Sequence, residues 1–228
     1  MSQVRDPRHA AKLDAARKAL ALVEDGMCLG LGSGSTAALF LELLGQKVRE
    51  GLNVTGVPTS SMTETLARRC QIPLISLNDS PVIDLVIDGA DEIDPYRNMI
   101  KGGGGALLRE KVVAAAAERR VYIADESKLV SMLGAFPLPV EVVQFAWKLL
   151  VHKLEDLGAK VRRRESSDGA PFTTDEGNFI LDCRFGLMED PATLAARLSG
   201  VPGVMEHGLF VGFADEIIVG RADAQAAG

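Results

Sequence analysis

Cysteine is scarce in this chain: Cys28, Cys70 and Cys183 make three in 228 residues, an odd number with no C-x-x-C pair. That excludes a disulfide framework and a zinc knuckle, and it fits reduced thiols in a cytosol. The three histidines, His9, His152 and His207, stand in neither zinc nor triad spacing, so acid–base chemistry falls to carboxylates and lysines. A basic surplus is also missing. Against 31 Asp and Glu there are 25 Lys and Arg, a formal charge of -6, which leaves no electrostatic footprint for nucleic acid. Arg162-Arg163-Arg164 is the one basic run of note and reads as an exposed strand face. No apolar run approaches membrane-spanning length. Charges at Arg5, Asp6, Arg8, Lys12 and Asp14 interrupt any signal-peptide core, so the expectation is a cytoplasmic protein without a membrane partner.

Two nucleotide motifs are absent as well. The glycine turn Gly32-Ser33-Gly34-Ser35-Thr36 has no lysine to make it a P-loop. A dinucleotide fold wants an acidic residue closing the second strand, where this chain has Val57-Pro58-Thr59-Ser60-Ser61. No cofactor is expected. What is present is βα alternation: helix Ala10–Glu24, strand Met27–Leu31, helix Ala37–Leu44 closed by Gly45, strand Asn53–Val57, helix Met62–Arg69, short strand Leu74–Leu77, strand Asp84–Ile87, helix Ala106–Arg119 and strand Val121–Ala124. This predicts an α/β fold, a Rossmann-like and mostly parallel sheet with helices on both faces. From Pro137 the pattern becomes strand, helix, strand, strand, helix, strand, the split βαβ order of a ferredoxin-like α+β domain. Glu216–Val219 is a further strand, expected to rejoin the first sheet. The expected division is therefore 1–135 with 208–228, and an inserted 136–207.

Asp88-Gly89-Ala90-Asp91-Glu92 follows a buried strand, and Lys101 opens four glycines that lead into a helix carrying Glu110. Open α/β sheets hold ligands at such strand ends, so Asp88 and Asp91 are the better functional candidates, while Glu92 and Asp94 point away. Glycines at a helix start expose amides to an anion or oxyanion. Hydroxyls at Ser33, Ser35 and Thr36 suit a phosphate in the same way. Like charge and burial would raise the pKa of Glu110, and Lys101 would lower it, the balance a proton-abstracting base needs. Spacing alone equally allows Glu110 to be a surface partner of Arg109 or Lys111. A calcium loop is not matched, and no metal site is expected.

Four stretches in this order, Gly32–Thr36, Asp88–Ile93, Lys101–Gly104 with Arg109-Glu110-Lys111, and Phe136–Val142, resemble ribose-5-phosphate isomerase, type A, nearly end to end. The resemblance implies reversible isomerisation of D-ribose 5-phosphate and D-ribulose 5-phosphate through an enediolate, in the non-oxidative pentose phosphate pathway. It also implies Glu110 as base with Asp88, Asp91 and Lys101 catalytic. Ser33, Gly34, Ser35, Thr36, Gly89, Ala90, Gly102, Gly103, Gly104 and Lys128 would bind the sugar phosphate. The turn reads GSGST where the family more usually has GTGST, which keeps the hydroxyl. Lys12 sits in too loose a match to be carried over. A homodimer is the expected assembly, with a tetramer as alternative. The competing classes are a non-catalytic sugar-phosphate sensor and a CoA transferase with a glutamate nucleophile.

Overall fold

The computed structural model describes residues 7–79 and 82–222. In chain order the elements are α1 (Pro7–Leu20), β1 (Cys28–Leu31), α2 (Ser35–Arg49), β2 (Thr55–Pro58), α3 (Ser61–Arg69), β3 (Ile83–Gly89), β4 (Glu92–Ile93), β5 (Met99–Ile100), α4 (Leu107–Ala115), β6 (Ala117–Asp125), β7 (Leu138–Val142), α5 (Trp147–Asp156), β8 (Lys160–Arg163), β9 (Phe179–Arg184), α6 (Pro191–Ser199), β10 (Val204–His207), β11 (Leu209–Phe210) and β12 (Glu216–Gly220). They form two compact units. The first holds the described residues up to Ala90, Val112–Leu129 and those from Phe213 on; the second holds Asp91–Lys111 and Val130–Gly212. Asp91–Lys111, placed with the parallel sheet from sequence, thus clusters with the second unit.

In the first unit a five-stranded sheet runs β12-β6-β3-β1-β2, every pair parallel. Leu29, Leu31, Leu85, Ile87, Val121, Ile123 and Ile218 pack with Ala15, Ala16 and Ala19 of α1 and Phe40, Leu41 and Leu44 of α2. Val86, on the opposite side of β3, packs with Val113 of α4. Alternate residues of one strand feed two apolar layers, as a sheet covered on both faces requires. Strand order reverses between β1 and β3, and that switch point is where such sheets hold ligands.

The second unit contains the order β7-α5-β8-β9-α6-β10, with an antiparallel sheet β10-β7-β9-β8. This is the split βαβ arrangement read from the sequence. A three-stranded sheet, β11-β5-β4, was not foreseen, because two-residue strands carry no period.

Three element boundaries depart from expectation. The helix predicted over Ala106–Arg119 stops at Ala115, since Ala117, Arg119 and Arg120 pair with Ile83, Leu85 and Val86 of β3; sheet pairing overrides helix propensity there. Gly45 does not end α2. A side chain there would come within 2.5 Å of the Cys70 carbonyl, so the glycine allows close packing inside the helix. Leu74–Leu77 contributes one bridge, from Leu74 to Gly56.

Gly220 closes β12 against α1. A β-carbon at this position would lie 1.9 Å from the Ala11 carbonyl oxygen and 2.6 Å from the Ala15 nitrogen, backbone atoms that cannot rotate aside. At Gly200 the nearest atom would be 3.5 Å away. Gly220→Ala should therefore lose at least ~2 kcal/mol in urea unfolding, while Gly200→Ala stays within ~0.5 kcal/mol of the parent. Equal midpoints for the two variants would show that α1 is not seated on β12.

Candidate active site

At the carboxyl end of the parallel sheet the β1–α2 turn rests on the end of β3. Gly32 has no room for a side chain: its β-carbon would lie 2.4 Å from Asp88 Cα. The Asp88 carboxylate is buried, and its Oδ1 accepts the Ser33 N–H at 3.0 Å and the Gly89 N–H at 2.7 Å. Asp88 therefore shapes the turn as well as ending the strand. Ser33 Oγ faces a hydroxyl cluster, 2.8 Å from Thr59, 3.0 Å from Ser60 and 3.0 Å from Thr63. Thr59 donates onward to the Leu31 carbonyl and Thr63 to that of Gly32. So the β1–α2 and β2–α3 turns are tied together through Ser33, whose hydroxyl points into the fold.

Gly34, at φ 93°, caps α2 without a side-chain bond, and the first helical hydrogen bond is Ala38 N–H to Gly34 O. The amides of Ser35, Thr36 and Ala37 precede it, at the positive end of the helix dipole. Ser35 is exposed and Thr36 buried. Lys12 of α1 reaches this turn, its ammonium donating to Ser35 Oγ at 3.0 Å. Sequence reasoning left Lys12 out, because helical register does not reveal which distant turn a side chain meets. Gly89 and Ala90 are half-buried at the end of β3. Lys128 is half-buried in a single 3₁₀ turn after β6, where Asp125 accepts the N–H and hydroxyl of Ser127.

The second unit holds the lysine, the glycines and the glutamate. Lys101 leaves β5 with its N–H bound to Gly208 O at 2.8 Å, and its side chain is 2% exposed. Its ammonium lies 3.4 Å from Glu110 Oε2, in the first turn of α4, and Glu110 is 5% exposed. The surface-partner reading of Glu110 is thereby removed: Arg109 turns to Glu176 and Asp175, and Lys111 to Glu206. Asp91 Oδ2 accepts the Gly103 N–H at 2.7 Å, so one of the amides expected to lie bare is held by a neighbouring acid. Gly102 and Gly105 adopt φ of 94° and 83°, a region side chains rarely enter. Glu92 and Asp94 serve the fold. Glu92 accepts the Gly134 and Phe136 N–H groups, and Asp94 those of Tyr96 and Asn98.

Beside this pair lies a second, half-buried cation, Lys111. The Phe210 ring centroid is 5.4 Å from the Lys101 ammonium and 4.8 Å from that of Lys111. Lys111 donates to Glu206 and to the His207 carbonyl, both at 2.6 Å. Burial holds its pKa below the ordinary value, with Glu206 opposing.

The sequence profile of Ribose 5-phosphate isomerase A (phosphoriboisomerase A) matches residues 55–224. Ribose-5-phosphate isomerase A of Methylorubrum extorquens is 55% identical over 95% of this chain and 94% of its own length, and that of Nitrobacter hamburgensis is 54% identical over 90% and 91%. Among solved structures, a D-ribose-5-phosphate isomerase in complex with phospho-erythronic acid superposes with a TM-score of 0.89 at 43% identity, covering 92% of this chain and 93% of that one. Ribose 5-phosphate isomerase A of Methanocaldococcus jannaschii gives 0.88 at 42% identity, with coverage of 92% and 93%. A parallel α/β sheet with a glycine turn at the switch point, carried in one chain with a buried lysine–glutamate pair beside a glycine loop, goes with these relatives into the class of isomerases. The chain belongs to the ribose 5-phosphate isomerase A family.

His207 shows how firmly the surroundings of the pair are set. Its Nδ1 lies 3.3 Å from the Leu209 N–H and 3.4 Å from the Lys111 ammonium, and its Nε2 is 3.2 Å from Ser199 Oγ. Burial first, then the Lys111 cation, push its pKa down to about 4, against the pull of Glu206. The folded state prefers neutral imidazole, so this stability is present above the unfolded pKa of about 6.5 and is lost as pH falls toward 4. Between pH 7 and 4.5 the group should contribute a loss on the order of 2 kcal/mol. His207→Gln should flatten that part of the pH dependence in urea titrations. An unchanged slope would mean that the imidazole is not held neutral.

Proposed function

We propose that the chain interconverts D-ribose 5-phosphate and D-ribulose 5-phosphate through an enediolate, within the non-oxidative pentose phosphate pathway, with Glu110 as general base. The observation that carries this reading is the Lys101–Glu110 pair, buried at 3.4 Å beside a glycine loop, in a member of this family. Glu110 removes the proton from C2 and returns it to C1. Lys101 and the glycine-loop amides take the charge that develops on the oxygens, while Asp88 moves the hydroxyl proton or assists ring opening. The α2 amides, with Ser35, Thr36 and the neighbouring Lys12, hold the phosphate, and Gly89, Ala90 and Lys128 contact the sugar phosphate. Asp91 serves the reaction by fixing the Gly103 peptide.

A positioned base supplies about 10²- to 10⁴-fold and each oxyanion donor about 10²- to 10³-fold, so this route needs no cofactor or metal. Phospho-erythronic acid, bound in the 43% identical structure, carries a planar carboxylate next to a carbinol carbon and so resembles a phosphorylated enediolate. The same reading includes a cytoplasmic location and a homodimer, the latter supported by Phe145, in the turn before α5, and Leu149, in α5, apolar side chains 99% and 58% exposed that a second copy would cover. Light scattering on the purified chain would show its mass.

Glu110→Gln should retain KM within a few-fold and lose about 10²- to 10⁴-fold in kcat on ribose 5-phosphate, assayed with EDTA present. Turnover near that of the parent would take Glu110 out of the mechanism.

A further inference from the structure

The run Arg162-Arg163-Arg164 is not a uniform exposed face. Arg162 is exposed and pairs only loosely with Glu165, at 3.7 Å. Arg163 lies over the rings of Trp147 and Phe179, at 4.5 and 5.5 Å. Arg164, just past the end of β8, turns toward the glycine loop, and its side chain is 14% exposed. Its Nη1 donates to the carbonyl of Gly102 at 2.9 Å and to that of Gly103 at 3.1 Å. Asp182 of β9 grips the other side of the guanidinium, accepting from Nε at 3.0 Å and from Nη2. Phe172 lies under the same guanidinium at 5.8 Å, and its ring occupies the space where a β-carbon on Gly105 would sit.

These contacts fix peptide planes. The Gly102–Gly103 peptide is held at both ends, its carbonyl by Arg164 and its N–H by Asp91. The next peptide presents its carbonyl to Arg164, and because peptide N–H and C=O point in opposite directions across a trans bond, the Gly104 N–H is aimed away from the guanidinium. A cation on the carbonyl also polarises the peptide, making that N–H a stronger donor. We propose that Arg164, oriented by Asp182, is a positioning residue for the isomerisation: it sets the glycine-loop peptides so that the Gly104 amide is a fixed donor to the developing oxyanion. This rests on the isomerase reading and adds to it a residue that acts through the loop.

The test uses Arg164→Met, Arg164→Lys and Asp182→Asn in the full chain. Turnover of ribose 5-phosphate by the parent is the check on the isomerase reading itself; an inactive parent would remove both ideas, whereas an active parent isolates the role of Arg164. Arg164→Met should lower kcat about ten- to a hundredfold with KM within about threefold. Inhibition by phospho-erythronic acid should weaken in step with kcat, while inhibition by inorganic phosphate stays unchanged. Arg164→Lys should recover only part of kcat, since an ammonium cannot bridge two carbonyls and a carboxylate with one planar fork. Asp182→Asn, which keeps the arginine, should fall between the parent and Arg164→Met, and it supplies the readout if Arg164→Met does not fold. The proposal is overturned if kcat is unchanged in these variants. Equal weakening of inhibition by both compounds would also overturn it, since that would mark a general loss of structure.

Discussion

Two opposite charges 3.4 Å apart and almost wholly shielded from water constrain the second unit. Such a pair gains little over an apolar replacement, yet losing one partner strands a buried charge at about 3–5 kcal/mol. Shielding it requires apolar neighbours, and β11 supplies one in Phe210. Met99, Ile100, Leu209 and Phe210 are all buried; Phe210 sets its ring against the Lys101 ammonium, while Ile100 and Leu209 join the apolar core of the second unit. The Phe210 ring then faces two ammonium groups at once, a favourable contact for each and a reason for them not to approach each other. Lys111 is drawn instead to Glu206 and the His207 carbonyl, and burial, with the Lys111 cation second, keeps the His207 imidazole neutral.

The first unit achieves order by a different route. Its turn is held by hydroxyls and by one carboxylate accepting amides at the carboxyl end of the sheet. Across both units the acids at strand ends repeatedly accept backbone N–H groups: Asp88, Asp91, Glu92, Asp94 and Asp125 all do so. A carboxylate beside a loop is thus first a means of fixing that loop, since charge-assisted bonds to amides are among the stronger ones available.

How much of this the sequence reveals depends on the range of the interaction. The βα alternation and the split βαβ order are local patterns and were legible. Ala106–Arg119 reads as helical throughout because its Ala- and Leu-rich composition favours helix, whereas the end at Ala115 is set by pairing with β3, 34 residues earlier in the chain. Gly45 read as a stop because glycine often is one; only the approach of Cys70 shows its purpose. Glu110 could be singled out but not assigned, as neighbours along a helix do not reveal which side is buried. Arg164 was lost inside a run of like residues, and Lys12 lay in a stretch without a motif. Both are identified by their partners, Asp182 with the loop carbonyls and Ser35, at separations that no spacing rule covers.

Four consecutive glycines form a stretch of chain with much conformational freedom to lose, and the structure gives most of them a local reason. Gly102 and Gly105 occupy positive φ, and a side chain at Gly103 would collide with the Asp91 carboxylate. Gly104 has neither excuse: its φ is not in the left-handed range, and nothing lies within 4 Å of where its β-carbon would be. A glycine that packing does not require still costs backbone entropy, roughly 0.5–1 kcal/mol relative to alanine in regular structure. Under the proposed chemistry the compensating gain comes from the substrate approaching the backbone at that point. The one loop position whose glycine the fold leaves unexplained is therefore the one whose amide, aimed away from Arg164, the proposed chemistry uses.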